Sequence, residues 1–275
     1  MSRRHMPRSP ELEAMIRAAE KAARRLLADF VRAEGVTVEE KAPADFVSSA
    51  DLASQDILER ELGDAFPDHE LVLEEGGART KPGGRPRLLV DPLDGTTNFV
   101  HKIPHFSVSI ALERGARVVA GVVLNAATGE LFCAEKGAGA WVGGASPRRL
   151  RVSDAQALSN AMVGTGIPNR GRENHAAYLV ALAGIMEEAA GIRRFGSAAL
   201  DLAHVAAGRF DAFFEQGLAP WDVAAGSLLV TEAGGVVSRS DGAAAALDAR
   251  DILAACSVGV RDAMVEKLAS LRRDA

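Results

Sequence analysis

The sequence predicts an α/β protein, with a large antiparallel sheet in the N-terminal half and a smaller mixed sheet in the C-terminal half. Between residues 106 and 142, short apolar runs follow one another across tight turns, which is typical of an antiparallel meander. Between residues 161 and 271, strand-like runs alternate with helical patterns, which is typical of an α/β arrangement. The 275 residues, of which 48% are hydrophobic, are enough to bury a sizeable core.

The first predicted helix covers residues 10–31. Ser9 can serve as its N-cap, Pro10 suits the first turn, and Glu11 lies near the positive end of the helix dipole. Apolar residues then recur at three- and four-residue spacing, which predicts one buried face.

Residues 1–9 are basic and contain Pro7, so we expect a disordered extension. A single domain is expected over residues 10–275, with halves at about 10–150 and 151–275. Neither half shows a repeat of fixed period.

A polar loop over residues 39–45 leads to a second predicted helix over 50–66, with Leu58 and Leu62 on one side. Asp51 falls in the first turn of this helix. A carboxylate there is favoured by the helix dipole, so Asp51 also has a purely structural interpretation.

A short strand over residues 71–73 ends at Glu74, and the segment from there to Arg87 is expected to be a surface loop. A hairpin follows through a turn at 114–116. The remaining predicted strands cover residues 88–90, 106–112, 118–124, 130–134, 139–142, 161–165, 192–195, 211–215, 236–237 and 252–256. The remaining predicted helices cover residues 173–190, 197–207, 220–233 and 258–271.

Residues 91–99, which read DPLDGTTNF, are the most informative stretch of the chain. Asp91 follows a buried strand, Pro92 has no N–H to continue the ladder, and Gly95 permits a sharp turn. Two carboxylates, Asp91 and Asp94, therefore lie at the C-terminal end of a strand, an arrangement that suits a hard cation such as Mg²⁺. The alternative is a turn in which both carboxylates cap local amides.

Three motifs together resemble the inositol monophosphatase family. They are residues 91–99, the sequence WDVAAG at 221–226, and the acidic pair Glu74–Glu75, in the order that the family shows. The resemblance extends from about residue 10 to the C-terminus. It implies layers in the order α-β-α-β-α, a homodimer, inhibition by Li⁺, and Mg²⁺-dependent hydrolysis of inositol 1-phosphate without a phosphoenzyme.

The resemblance also implies the metal ligands. Glu74, Asp91 and the Leu93 carbonyl resemble the ligands of a first Mg²⁺, and Asp91, Asp94 and Asp222 resemble those of a second. A third, weaker ion would share Glu74. The four carboxylates would repel a phosphate dianion, because like charges 4 Å apart cost about 4 kcal/mol per pair at intermediate dielectric. Divalent cations convert such a cluster into a phosphate site, and they also lower the pKa of water.

Asp51, Thr96 and Glu74 resemble the residues that activate the attacking water. A Thr hydroxyl is too weak an acid to act alone, but an adjacent carboxylate can orient it and accept its proton. The backbone amides of Gly95 and Thr96 would bind phosphate oxygens. For Asp222, which follows Trp221, the alternative is a capping acid beside a buried aromatic ring.

Substrate contacts are expected from the second half of the chain. Gly196, Ser197 and Ala198 match the segment that contacts the sugar-alcohol ring in the family. Further substrate contacts are expected from Asp94, Asp222 and the phosphate-binding residues Gly95 and Thr96. Glu215 would accept hydrogen bonds from ring hydroxyls, or else be a solvated acid at a strand end. Lys41 and Asp45 match a mobile loop near the third metal.

Composition excludes several other classes. A net charge of −5 and a pI near 5.8 argue against a nucleic-acid surface. Cys133 and Cys256 lie in apolar runs and are expected to be buried free thiols. Since no apolar stretch reaches spanning length and no signal peptide is recognisable, the cytoplasm is predicted.

One alternative fails and others remain open. Haloacid-dehalogenase phosphatases are excluded, because they need Asp-x-Asp, whereas Asp91 and Asp94 are three residues apart. Phosphatases of the same fold that act on histidinol phosphate, fructose 1,6-bisphosphate or 3′(2′),5′-bisphosphate nucleotides share these motifs. The alternative from another class is a regulatory scaffold that retains this fold and docks onto transcription machinery.

Overall fold

A computed structural model describes residues 8–32, 37–42, 45–75, 77–79, 85–144, 146–168, 175–245, 247–248 and 250–269. None of the helices in these ranges is long and apolar enough to cross a membrane.

The predicted helices form within a few residues of their expected bounds. The first begins as expected, because the Leu12 amide donates to the Ser9 hydroxyl at 3.1 Å. The helices of the described ranges are α1 (Pro10–Val31), α2 (Ser49–Ala65), α3 (Thr96–Val100), α4 (His175–Met186), α5 (Ala198–Ala206), α6 (Pro220–Glu232) and α7 (Val258–Lys267).

The strands fall into a large sheet, a small sheet and a hairpin. The large sheet contains β3 (Glu70–Leu73), β4 (Gly77–Arg79), β5 (Arg87–Asp94), β6 (Ser107–Arg114), β7 (Arg117–Asn125), β8 (Leu131–Glu135), β9 (Gly139–Val142) and β10 (Arg148–Arg149). The small sheet contains β11 (Met162–Thr165), β12 (Gly191–Arg193), β13 (Ala212–Gln216), β14 (Val236–Ser238) and β15 (Asp251–Ala255). The hairpin consists of β1 (Val38–Ala42) and β2 (Asp45–Ser48).

The large sheet has the strand order β10-β9-β8-β7-β6-β5-β3-β4 and is antiparallel apart from one pair. That pair is β3 and β5, which run parallel with Leu73 opposite Val90. The small sheet has the order β12-β11-β13-β15-β14 and is mixed, as predicted. The parallel pair has a functional consequence, because it brings the C-terminal ends of two strands to the same edge of the sheet.

Three apolar clusters establish the layer order α-β-α-β-α. The first joins α1 and α2 to one face of the large sheet, where Leu88 and Val90 point. The second joins the opposite face, including Leu89, to α5 and α6 and then to one face of the small sheet. The third covers the other face of the small sheet with α4 and α7. Since successive residues of β5 point to opposite faces, this strand is buried on both sides.

Four local predictions differ from the structure. The polar loop over residues 39–45 is instead the β1–β2 hairpin, held by main-chain pairing that does not depend on apolar side chains. Strand β4 and helix α3 lie in segments expected to be a loop and a turn. Strand β5 also continues past Pro92 to Asp94, because a register shift opposite β6 accommodates the missing N–H.

Both cysteines are buried thiols that form no disulfide, as predicted. Burial raises the pKa of the Cys133 thiol to about 12.

Small residues allow α6 to fit between the two sheets and against α5. A Cβ atom on Gly121 of β7 would lie 3.0 Å from the Cα of Ala225 on α6. A Cβ atom on Gly226 would lie 2.5 Å from the Cβ of Leu202 on α5. The middle layer is therefore packed so closely that a single added methyl group has no space.

We predict that Gly226→Ala lowers the free energy of unfolding by about 1–3 kcal/mol, because the added methyl group overpacks the α5–α6 contact. Gly63→Ala on α2 is the matched control, since no atom lies within 4 Å of the added Cβ. There the better helix propensity of Ala should raise stability by up to about 1 kcal/mol. Urea unfolding measures both, and an unchanged midpoint for Gly226→Ala would contradict this packing.

Candidate active site

One cavity of about 150 Å³ collects acidic side chains from both halves of the chain. It lies where β3 and β5 end, opposite the N-terminal end of α6. Its described lining residues are Glu74, Asp91, Leu93, Asp94, Gly95, Thr96, Gly166, Arg194, Gly196, Ala198, Glu215, Leu218 and Asp222. Ten of these were predicted as site residues from the sequence.

Glu74 and Asp91 are neighbours because of the parallel pairing of β3 and β5. Leu73 lies opposite Val90, and the Glu74 amide donates to the Val90 carbonyl at 3.3 Å. Asp91 is 2% exposed and accepts a hydrogen bond from the Leu93 amide at 2.9 Å. The next residue of each strand therefore contributes a carboxylate to the same edge.

Asp94 is held by donors from α5 and β6. Its Oδ2 accepts from the Ser197 hydroxyl at 2.5 Å, the Ala199 amide at 2.9 Å and the Ser107 hydroxyl at 3.3 Å. Its Oδ1 accepts a longer bond, at 3.3 Å, from the Ala198 amide. Asp94 thus joins the motif in the first half to the start of α5 in the second.

Asp222 comes from the first turn of α6. Its Oδ2 accepts from the Ala219 amide at 2.7 Å. Burial raises the pKa of Asp222 to about 7, with the charges of Asp94 and Glu215 acting in the same direction and the Ala219 hydrogen bond opposing them.

The pKa values of Asp91 and Asp94 are raised as well. Burial raises the pKa of Asp91 well above its usual value, and the charges of Glu74, Asp94 and Asp222 add to this effect. Burial also raises the pKa of Asp94, although its hydrogen bonds oppose the shift. Since each acid disfavours ionisation of the others, the cavity has a strong negative potential that a cation would relieve.

Asp51 and Thr96 form a hydrogen-bonded pair at the wall of the cavity. The Thr96 hydroxyl lies 2.9 Å from Asp51 Oδ1 and 3.1 Å from the Leu93 carbonyl oxygen. Asp51 is buried, and its Oδ2 accepts bonds from the amide and the hydroxyl of Ser48 at 2.8 and 2.5 Å. Burial raises the pKa of Asp51, with the Ser48 bonds opposing it. Thr96 lines the cavity while Asp51 lies behind it.

The far wall contains residues that sequence reasoning missed. A Cβ atom on Gly166 would lie 1.9 Å from the Glu215 carboxylate carbon, so this glycine makes room for the Glu215 side chain. Arg194 is the positively charged member of the described lining. Its position two residues before Gly196 was the available signal, but nothing in that spacing distinguishes it from a surface arginine.

Besides Glu215, a further acid, Asp201 of α5, is buried close to the far wall of the cavity. Burial raises its pKa well above the usual value, with further contributions from Glu215 and Asp94. Its Oδ1 has no hydrogen-bond partner among the described residues. The surrounding sequence, an Ala- and Leu-rich helix, gave no sign of this acid's environment.

Some predicted site residues do not line the cavity. Ser197 is buried and directs its hydroxyl to Asp94, so it holds that carboxylate instead of facing the open space. Lys41 and Asp45 lie on β1 and β2, and their side chains fall outside the described part of the structure.

The donor set fits a hard divalent cation in kind, since it consists of carboxylate oxygens and the Leu93 carbonyl. Within the described ranges, however, no three His, Cys, Asp or Glu side chains are already close enough together to hold a metal ion.

A larger cavity, of about 240 Å³, lies on another side of α6 and shares Leu218 with the first. Its walls are mainly aliphatic, and Asp251 is its acidic residue. A cavity with one carboxylate lacks the charge to bind several cations, so the smaller acidic cavity is the candidate active site.

Comparisons with known proteins agree with this assignment. The model of the Inositol monophosphatase family matches residues 8–275. A protein of Rhizobium meliloti named inositol-1-monophosphatase is 50% identical over 248 residues, covering 90% of this chain and 92% of that protein.

Two further relatives carry a different name. The Nus factor SuhB of Pseudomonas aeruginosa is 43% identical over 249 residues, covering 89% of this chain and 91% of that protein. The crystal structure of the extragenic suppressor protein suhB from Bartonella henselae superposes with a TM-score of 0.90 at 43% identity. That match covers 95% of this chain and 99% of the other.

The raised carboxyl pKa values predict proton release when a divalent cation binds. At pH 7 Asp222 is about half protonated, given its pKa of about 7, and a cation favours the ionised form. Calorimetry with Mg²⁺ in buffers of different ionisation enthalpy should detect release of at least about half a proton per chain at pH 7.

The release should shrink as the pH rises above 7, because Asp222 is then already ionised before the cation arrives. Asp222→Asn should reduce the proton release at and below pH 7, where Asp222 is still partly protonated before the cation binds. Mg²⁺ binding with heats that do not depend on the buffer at pH 7 would contradict the raised pKa values.

Proposed function

Because this chain belongs to the inositol monophosphatase family, we propose that it hydrolyses inositol 1-phosphate to myo-inositol and phosphate in a Mg²⁺-dependent reaction. As in its relatives named inositol-1-monophosphatase, the activity is that of a phosphoric monoester hydrolase. The observation that carries the proposal is the meeting of Glu74, Asp91, Asp94 and Asp222 in one cavity beside Thr96.

The family is metal-dependent, and two or three Mg²⁺ ions are proposed here. Glu74, Asp91, Asp94, Asp222 and the Leu93 carbonyl would hold them. When bound, the ions supply charge neutralisation for the phosphate and a lowered pKa for water. Li⁺ is proposed as an inhibitor of the same site.

Thr96 and Asp51 would activate the attacking water. With its proton directed to Asp51, the Thr96 oxygen presents a lone pair to the cavity and can accept a proton from water. The raised pKa of Asp51 makes it a better proton acceptor than an exposed aspartate. Glu74 also lines the cavity and would help to orient this water.

Substrate recognition would use both halves of the cavity. The backbone at Gly95 and Thr96 would bind the phosphate, and Glu215 and Asp94 would accept hydrogen bonds from ring hydroxyls. Gly196 and Ala198 line the cavity beside Asp94, while Ser197 acts through its bond to that carboxylate.

We also propose a cytoplasmic homodimer. Helix α4 supports a subunit contact, because Leu179, Val180 and Met186 are 60%, 63% and 66% exposed, respectively. Large apolar side chains with such exposure on one short helix are typical of an interaction surface.

The similarity to a protein named Nus factor SuhB favours a second candidate, a regulatory protein that acts by binding a partner. This role would not require Asp94. Phosphatases specific for histidinol phosphate, fructose 1,6-bisphosphate or bisphosphate nucleotides are alternatives for the substrate alone.

We predict Mg²⁺-dependent phosphate release that is fastest with inositol 1-phosphate in a panel that includes histidinol phosphate, fructose 1,6-bisphosphate and 3′-phosphoadenosine 5′-phosphate. Asp94→Asn should lower kcat/KM by at least about 100-fold, since a charged group of the site is lost. Asp64→Asn, at an exposed position of α2, is the matched control and should retain full activity.

Millimolar Li⁺ should inhibit the wild-type enzyme. Turnover that a chelator leaves unchanged would exclude the metal-dependent mechanism, and a faster reaction with another member of the panel would replace the proposed substrate. Partner binding that survives Asp94→Asn would support the regulatory candidate.

Light scattering is expected to give the mass of a dimer. Val180→Lys should yield a monomer, because burying a lysine in an apolar contact is unfavourable. Val258→Lys, which is 52% exposed on α7, should remain dimeric. A wild-type monomer at micromolar concentration would refute the proposal.

A further inference from the structure

We propose that Gln55, together with Ser54, is a positioning residue that sets the spacing of the acidic side chains for divalent-cation binding. The inference rests on the proposed metal-dependent function. Neither residue lines the cavity, and neither belongs to the motifs from which the function was predicted.

The side-chain amide of Gln55 binds both the carbonyl and the amide of the Glu75 main chain. Its Nε2 donates to the Glu75 carbonyl at 2.5 Å, and its Oε1 accepts from the Glu75 amide at 3.0 Å. This is the pairing that a neighbouring strand would make, but it is supplied by one side chain of α2. It fixes the turn that follows β3, and Glu74 is the first residue of that turn.

Ser54 binds the other acidic segment. Its side chain is completely buried, and its hydroxyl donates to the Pro92 carbonyl at 2.7 Å. Pro92 lies between Asp91 and Leu93, where the register of β5 against β6 shifts and ladder bonds are interrupted. The Ser54 bond therefore orients the peptide group between a predicted carboxylate ligand and a predicted carbonyl ligand.

Asp51 completes the set on the same helix. Residues 51, 54 and 55 are spaced three and four apart, so they lie on one face of α2. Asp51 binds Thr96, Ser54 binds Pro92, and Gln55 binds Glu75. One rigid helix face thus holds three separate segments of the site in a fixed relation.

This arrangement opposes the repulsion within the cavity. Glu74 and Asp91 line the same small cavity, and like charges at such short range repel each other. The contacts of Ser54 and Gln55 reach main-chain atoms beside each acid and leave the carboxylates themselves available to a ligand. Partners that orient metal ligands typically contribute 10–100-fold to metal affinity.

The effect should appear in cation binding and not in the chemical step. Gln55→Ala removes the whole side chain that binds the main chain of Glu75. Gln55→Met removes the two hydrogen bonds while nearly retaining the volume of the side chain. Both should weaken Mg²⁺ or Mn²⁺ binding by about 10-fold or more, and raise the Mg²⁺ concentration for half-maximal activity equally, with kcat at saturating Mg²⁺ within about threefold of wild type. Ser54→Ala should have the same direction of effect.

Leu62→Val is the matched control for stability. It removes part of a buried side chain from the same helix, so it should lower the melting temperature without changing cation affinity. Binding is measured without substrate, by calorimetry with Mg²⁺ and by electron paramagnetic resonance of free Mn²⁺. This readout decides the inference even if inositol 1-phosphate is not the substrate.

Cation affinities of Gln55→Ala and Gln55→Met within twofold of wild type would overturn the inference while leaving the proposed function intact. Weakening by Leu62→Val to the same extent as by Gln55→Met would also overturn it, because the effect would then be one of stability. A wild-type chain that binds neither cation would overturn both proposals.

Discussion

Mutual repulsion among buried carboxylates is the constraint on which the rest of the site depends. Asp91, Asp94 and Asp222 share a small cavity with Glu74, and burial raises the pKa values of all three aspartates. Neighbouring charges add to the shift for Asp91 and Asp222. Such a cluster reduces the stability of the fold at neutral pH, since ionising each acid costs more in the folded chain than in the unfolded one. The proposed function would explain why it persists, because the same negative potential would attract divalent cations.

Main-chain N–H donors offset part of the repulsion among these carboxylates. Leu93, Ala199 and Ala219 each direct an amide N–H to one of the three aspartates. Two of these amides belong to the starts of α5 and α6, the helices of the middle layer, where unpaired N–H groups also favour negative charge. The close packing at Gly226 and Gly121 brings these helix ends to the edge of the large sheet. The middle helix layer therefore also supplies the N–H groups that stabilise the negative charge of the site.

Much of this could be predicted from the sequence, for a physical reason. Contiguous motifs such as residues 91–99 carry their chemistry in local spacing, and apolar periodicity placed most helices and strands correctly. The parallel pairing of β3 with β5 was not predicted, because register between distant strands leaves no local signal. Gly166 was missed because its role, making room for Glu215, exists only after folding.

The contacts of α2 were missed for a related reason. Ser54 and Gln55 recognise main-chain atoms, which every residue type offers, so no partner residue marks the contact in the sequence. The β1–β2 hairpin was likewise hidden, since main-chain pairing can form between polar residues as readily as between apolar ones. Asp51 could be identified only through the family resemblance, because its position alone is that of an ordinary helix-capping acid.

The placement of Asp222 has a consequence for how the molecule opens. Asp222 belongs to α6, which lies between the two sheets, whereas Asp91 belongs to the large sheet alone. An ion held by both Asp222 and Asp91 would therefore cross-link the helix layer to the large sheet. Separating the layers would then require releasing the ion first. At a free cation concentration 100 times the dissociation constant, that linkage would add about 2.7 kcal/mol to the work of opening. The catalytic ion would in this way also decide how firmly the two halves of the protein stay closed.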